Sequence, residues 1–301
     1  MKRLAALATT LLLSITILGS APARAAGMGS WSKVDQALGR QGKDFPDGVH
    51  KFGFPRSDLK VTLDGTPIRA PLAFGSWVAF MPDHGGSMLM GDLVLTETEL
   101  GPVMKRLVAG GMEITAVHNH LLRTSIPIIY MHVAGHGDPV RLAETVHAAL
   151  ALTGTPLTQS RALSPASVAP SLDLQSLESI LRAKGTENGG VDQFSIPRAD
   201  AIRDHGAVVS PAMGAAIGIN FESTGDGRAA ATGDFVLIAS EVNPVLRDLL
   251  AHGIEVTALH THMIGDSPTI YFMHFWAVQN AQQLARGLSS ALDLIHAKRQ
   301  T

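Results

Sequence analysis

Two stretches of this chain, 142 residues apart, are copies of one another, and that constrains its fold more than any other feature. Gly91-Asp92-Leu93-Val94-Leu95 returns as Gly233-Asp234-Phe235-Val236-Leu237. The same offset carries Glu99 onto Glu241, Pro102 onto Pro244, and Glu113-Ile114-Thr115-Ala116-Val117-His118-Asn119-His120 onto Glu255-Val256-Thr257-Ala258-Leu259-His260-Thr261-His262. Across 91–120 and 233–262, 15 of 30 positions are identical, too many for chance. Upstream, Pro55-Arg56 matches Pro197-Arg198; downstream, Met131-His132 matches Met273-His274. Two units of this length are too few for a solenoid, so a pseudo-twofold pair, a homodimer fused into one chain, is expected.

The boundaries follow. Residues 1–25 read as a secretory signal peptide: Lys2 and Arg3, an apolar run, then Ala23-Arg24-Ala25 before cleavage. Residues 27–151 form the first repeat, 152–173 a linker with Pro156, Pro165 and Pro170, and 174–301 the second repeat. The expected compartment is the periplasm or the exterior. No later apolar run is long enough to span a bilayer. The chain has no cysteine, which excludes disulfides, thiolate ligands and a cysteine nucleophile. Without the basic residues of the leader the rest is net acidic, with no basic-aromatic patch, so a nucleic-acid partner is not expected. The partner would be a small molecule or an envelope component.

Within each repeat the pattern predicts a short amphipathic helix (31–39 and 174–183) and strands at 73–80 and 87–95. A helix capped by Thr98 or Ser240 and closed by glycine follows. Two apolar runs, 113–120 and 127–134, then form a hairpin, and a final helix covers 139–150 or 280–294. The fold class is α+β, each repeat a mainly antiparallel sheet with helices on one face.

Six of the 13 histidines fall at matching places: His118, His120 and His132, and His260, His262 and His274. On a strand, His118 and His120 point the same way. A hairpin centred on Ser125 sets His132 opposite His118, and one centred on Ser267 sets His274 opposite His260. Each repeat would then present an HxH…H triad suited to a Zn²⁺-type divalent ion, with a position left for water and hydrolytic chemistry in reach. Glu99 and Glu241 are candidate fourth ligands or general bases. The competing reading is a non-catalytic binding module whose histidines are structural. A third has one of two sites decayed, since Arg123 stands against Gly265 and Asn119 against Thr261. Gly91-Asp92 reads as turn chemistry, Arg56 and Arg198 as surface residues or, alternatively, as holders of a carboxylate, and His84-Gly85-Gly86-Ser87 as a loop.

The run Gly-Asp-x-Val-Leu, Glu-x-x-Pro-Val, Gly-[Met/Ile]-Glu-[Ile/Val]-Thr-Ala-[Val/Leu]-His-x-His and [Tyr/Phe]-Met-His resembles the LppY/LpqO family. The resemblance covers both copies and implies an exported bacterial protein with a duplicated domain; it implies no particular activity. Lipoprotein members carry a lipid-modified cysteine, and its absence here removes any implied anchor.

Overall fold

Strands buried on both sides dictate the architecture. The computed structural model describes residues 31–158 and 171–300; the expected signal peptide at 1–25 and the middle of the expected linker lie outside them. In the first repeat the main sheet contains β1 (Lys43–Asp44), β2 (His50–Pro55), β3 (Gly75–Asp83), β4 (Gly86–Thr96), β5 (Glu113–His118) and β6 (Ile128–Gly137). Its helices are α1 (Ser32–Leu38), α2 (Glu97–Ala109) and α3 (Pro139–Leu150). The second repeat supplies β7 (Gly185–Asn188), β8 (Val191–Pro197), β9 (Ala216–Gly225), β10 (Arg228–Ile238), β11 (Glu255–His260) and β12 (Ile270–Asn280). Its helices are α4 (Leu174–Leu181), α5 (Ala239–Ala251) and α6 (Ala281–Leu292). Strand order is β1-β2-β3-β4-β6-β5 and β7-β8-β9-β10-β12-β11, antiparallel throughout.

Every interior residue of β4 is buried, so both faces of the sheet must be covered. Leu89, Leu93 and Leu95 pack into a core with Val103 and Leu107 of α2 and Leu142 and Val146 of α3. The alternate residues face the other repeat. Met88 and Met90 meet Val209 and Met213, while Val94 and Tyr130 share a cluster with Val191, Ala230 and Trp276. The two sheets thus turn their helix-free faces toward each other. The unmatched segment near 60–74, a ribbon (Val61–Leu63, Thr66–Ile68) and a short helix (Ala70–Ala73), reaches across: Gln193 Nε2 donates to Pro71 O at 2.8 Å and Asn220 Nδ2 to Leu72 O at 2.9 Å.

Turn chemistry sets the register. His84-Gly85 and Asp226-Gly227, all at positive φ, close the β3–β4 and β9–β10 hairpins as two-residue turns, so the glycine-rich stretch at 84–87 is a hairpin tip. The helices after β4 and β10 start at Glu97 and Ala239, slightly earlier than a Thr98 or Ser240 cap implies. The cause is Glu99 and Glu241, whose carboxylates accept the N–H of Thr96 and of Ile238, each at 2.9 Å.

Those carboxylates also anchor two buried arginines. Arg56, 1% exposed, donates to Glu99 (2.8 Å), Asp58 (2.8 Å) and Val94 O (2.8 Å). Arg198, 3% exposed, repeats this with Glu241 (2.7 Å), Asp200 (2.6 Å) and Val236 O (2.7 Å). The Pro-Arg-x-Asp motif is therefore internal framework, where its polarity suggested surface. Removing the cation of a buried pair strands its carboxylate. Arg198→Met should cost about 3–5 kcal/mol in urea unfolding, whereas Asp200→Asn, at the half-exposed end, should cost about 1 kcal/mol or less.

Candidate metal centre

The histidines reach the middle of the molecule through strand register and one bulge per repeat. Across the first sheet, Trp77, Asp92, His132 and Ala116 lie in one row; across the second, Gly218, Asp234, His274 and Ala258 do. His118 pairs with Tyr130 and His260 with Phe272, so the hairpins centre on Thr124 and Asp266, one residue before the expected positions. A one-residue move of the centre preserves the face, and all three histidines of each repeat remain on the inter-repeat side. The register shifts between Ile114 and Ala116 and between Val256 and Ala258. That bulge turns Ile114 back into the helix-side core, while Ala116 and His118 face the partner sheet. His120 and His262 lie just past the strand ends.

The two expected triads are not separate. His118 stacks on His260 (ring centroids 3.5 Å apart), His120 on His274 (3.7 Å) and His132 on His262 (3.6 Å). These contacts are reciprocal: residue i of one repeat meets residue j of the other, and j meets i, as a twofold demands. Within a repeat, His118 lies 4.9 Å from both His120 and His132. Tyr130 caps His120 and Phe272 caps His262, each at 3.5 Å. Six imidazoles therefore form one cluster across the pseudo-twofold.

The ring nitrogens in this cluster are poorly satisfied. Among the described residues, both nitrogens of His118 and the Nε2 atoms of His120, His132, His260, His262 and His274 are buried without a hydrogen-bond partner. So is Asp92 Oδ1, 3.6 Å from His132 Nε2. Leaving one such group unmade costs about 1–3 kcal/mol. One ring nitrogen each of His118, His120, His260 and His262 lie within 4.8 Å of one another; Asp92, His120 and His132 form a second such group. Nitrogens around a tetrahedral Zn²⁺ stand about 3.3 Å apart, so small side-chain rotations separate this arrangement from a coordination shell.

Electrostatics favours the neutral, ligating form of the rings. Burial first, then the neighbouring His260, pulls His118 down to about 3; burial pulls His260 to about 4. Burial and the surrounding imidazoles hold His120, His132, His262 and His274 well below the usual histidine range. Burial raises Asp92, helped by the charge of Asp234, and lifts Asp234 to about 7, opposed by the Gly218 N–H and by Lys51. Lys51, lowered by burial to about 8, donates to Ala212 O at 2.9 Å and lies 4.0 Å from the Trp77 ring centroid.

Several neighbours of the cluster were not legible as such. Gly91-Asp92 and Gly233-Asp234 sit inside strands, where turn chemistry was expected. A Cβ on Gly91 would stand 2.8 Å from Trp77 O, and one on Gly233 would collide with Gly218 O, so each glycine admits a close backbone and each aspartate flanks a histidine. Recurrence of the pair in both copies was the available signal. Glu99 and Glu241 are engaged in the arginine framework. Arg123 and Gly265 differ because Arg123 clamps the repeats, donating to Asp64 at 2.7 Å and Glu255 at 2.6 Å.

Fold and centre together define a duplicated α+β protein, closed on itself as a twofold pair of facing sheets around shared histidines. The chain belongs to the family described as Domain of Unknown Function (DUF1259), which matches twice, over residues 32–152 and 175–294. No curated protein matches it. Among solved structures it is distantly similar to EtuB from Clostridium kluyveri, with 8% identity, TM-score 0.20, and coverage of 84% of this chain and 88% of that one. It is likewise similar to the trimeric bacterial microcompartment shell protein PduB, with 11% identity, TM-score 0.20, and coverage of 84% and 93%. No helix among the described residues is long and apolar enough to cross a membrane.

Acid should destabilise the metal-free protein. An imidazole whose folded pKa lies below its unfolded value of about 6.5 favours the fold fully above that pH. Its contribution is lost as pH falls from about 6.5 toward 3–4. Asp234 works the other way, its contribution fading as pH rises from about 4 to 7, but the imidazoles outnumber the raised aspartates beside them. Melting temperature in chelator should therefore fall steadily between pH 7.5 and 5, and less steeply in His118→Asn.

Proposed function

We propose that this is an exported metalloprotein that holds a divalent transition ion at one centre shared by its two repeats. His118, His120, His260 and His262 are the ligand set, with His132, His274 and Asp92 beside them. The observation that carries this reading is the group of buried, unpartnered ring nitrogens converging from both repeats. Neutral imidazoles suit Zn²⁺, Cu²⁺ and Ni²⁺, and a site without carboxylate-rich oxygen ligands disfavours Ca²⁺ and Mg²⁺. Zn²⁺ is the favoured occupant. When bound, such an ion would supply Lewis acidity; because four imidazoles fill a tetrahedral shell, hydrolysis would require water at a fifth position. The chain's own groups hold the rings neutral, bury them between sheets and set Asp92 and Asp234 next to His132 and His274. The signal-peptide pattern read at 1–25 and the resemblance to LppY/LpqO proteins support the periplasm or exterior as the place of action.

Sharing is the testable part. The metal-free protein should take up Zn²⁺ or Co²⁺, and saturating ion at about 100 times Kd should stabilise it by about 2.7 kcal/mol, a rise of roughly 5–10 °C in Tm. Replacing both His260 and His262 by alanine should abolish tight uptake at the shared site, leaving at most weak binding by Asp92, His120 and His132 of the first repeat. Retention of half the binding would show two independent sites. No uptake by the unaltered protein would leave a structural role for the histidines.

A further inference from the structure

The cluster obeys the twofold; its surroundings do not. On the His132 and His262 side lies a chamber of about 30 Å³, bounded by Trp77, Met90, Met213 and Met263, with Asp204 and Thr115 in its wall. Ala134 also lines it. At the 142-residue offset the partner of Ala134 is Trp276, and that of Val133 is Phe275. Trp276 is buried in the apolar cluster between the repeats, and Phe275 in the core of the second. The equivalent of Thr115, Thr257, spends its hydroxyl on His120 O at 2.6 Å. Between the repeats, then, Trp276 stands on one flank where Ala134 stands on the other, while Gly218 holds the row position of Trp77.

Asp204 gives the chamber its polarity. It is 5% exposed, and its Oδ1 is buried without a hydrogen-bond partner. Its strand, Arg203–Asp204, pairs with Asp266–Ser267 next to the second histidine hairpin, which fixes the carboxyl group in the wall. A water needs about 10–15 Å³ of such space and two or more polar partners. The chamber therefore admits about two water-sized molecules, with Asp204, His132 and His262 among its lining residues.

We propose that this chamber is a port by which water, or a protic ligand of the same size, reaches the histidine centre from the His132 and His262 side, and that Asp204 is the residue that hydrogen-bonds it there. The assignment rests on the metal reading above and adds to it a direction of approach, a size limit on the ligand and a positioning residue. Trp77 and the methionines bound the chamber, so by this route only small protic species approach the centre.

The test uses the full chain after leader removal, loaded with Cu²⁺, and reads the relaxation rate of bulk water protons per bound ion. The unaltered protein should relax water at least twofold faster than Thr115→Leu, which plugs the chamber, at equal copper content. Met263→Trp, at the partly exposed rim, should act the same way and guards against a misfolded first variant. Equal rates in all three, with copper bound, would overturn the port; absence of bound copper would instead overturn the centre itself. In a crystal structure of the metal-free protein, ordered water within hydrogen-bond distance of Asp204 Oδ1 is expected, and a dry chamber would count against the assignment independently of any metal.

Discussion

The structure depends on the contact between two sheet faces that are apolar at their margins and imidazole-rich at their centre. Each repeat has helices for only one side of its sheet. The other side would expose Met88, Met90, Val94 and Tyr130 to water, and burial of such side chains contributes about 1.5–3 kcal/mol each. Docking the second copy covers them, and it also forces six polar rings into a space with few hydrogen-bond partners. The apolar rim thus sustains an otherwise unfavourable centre. The same exclusion of water keeps the imidazoles uncharged and raises Asp92 and Asp234, so packing and acid–base character have one origin.

Much of this could be read from the residues. The offset of 142 revealed the duplication and the twofold, because equivalent side chains must occupy equivalent sites. Alternation along strands placed three histidines of each hairpin on one face. The union of two triads into one cluster was not legible, since no pattern within a repeat states which face meets which partner. Nor were the bulges at Thr115 and Thr257, which leave composition unchanged and alter only the pairing. The arginine framework was hidden for a related reason. Arg56 and Arg198 look like surface residues until the carboxylates of Glu99 and Glu241, 43 positions further on, are seen to neutralise them.

Departures from symmetry carry information that the symmetric parts do not. Arg123 against Gly265 reflects a clamp needed only once, between Asp64 and Glu255. Ala134 against Trp276 sets an open flank against a filled one. A homodimer could make neither distinction, because every substitution would appear on both sides. Fusion of the copies separates the demands, so that the two flanks need not carry the same side chains.

The direct stacking of His118 on His260 has a consequence for how the protein behaves at low abundance. Two separate polypeptides sharing such a centre would lose it on dilution, as association fell away with concentration. A covalent tether replaces that bimolecular equilibrium with an effective local concentration in the millimolar range. The centre thereby persists however sparse the molecule becomes.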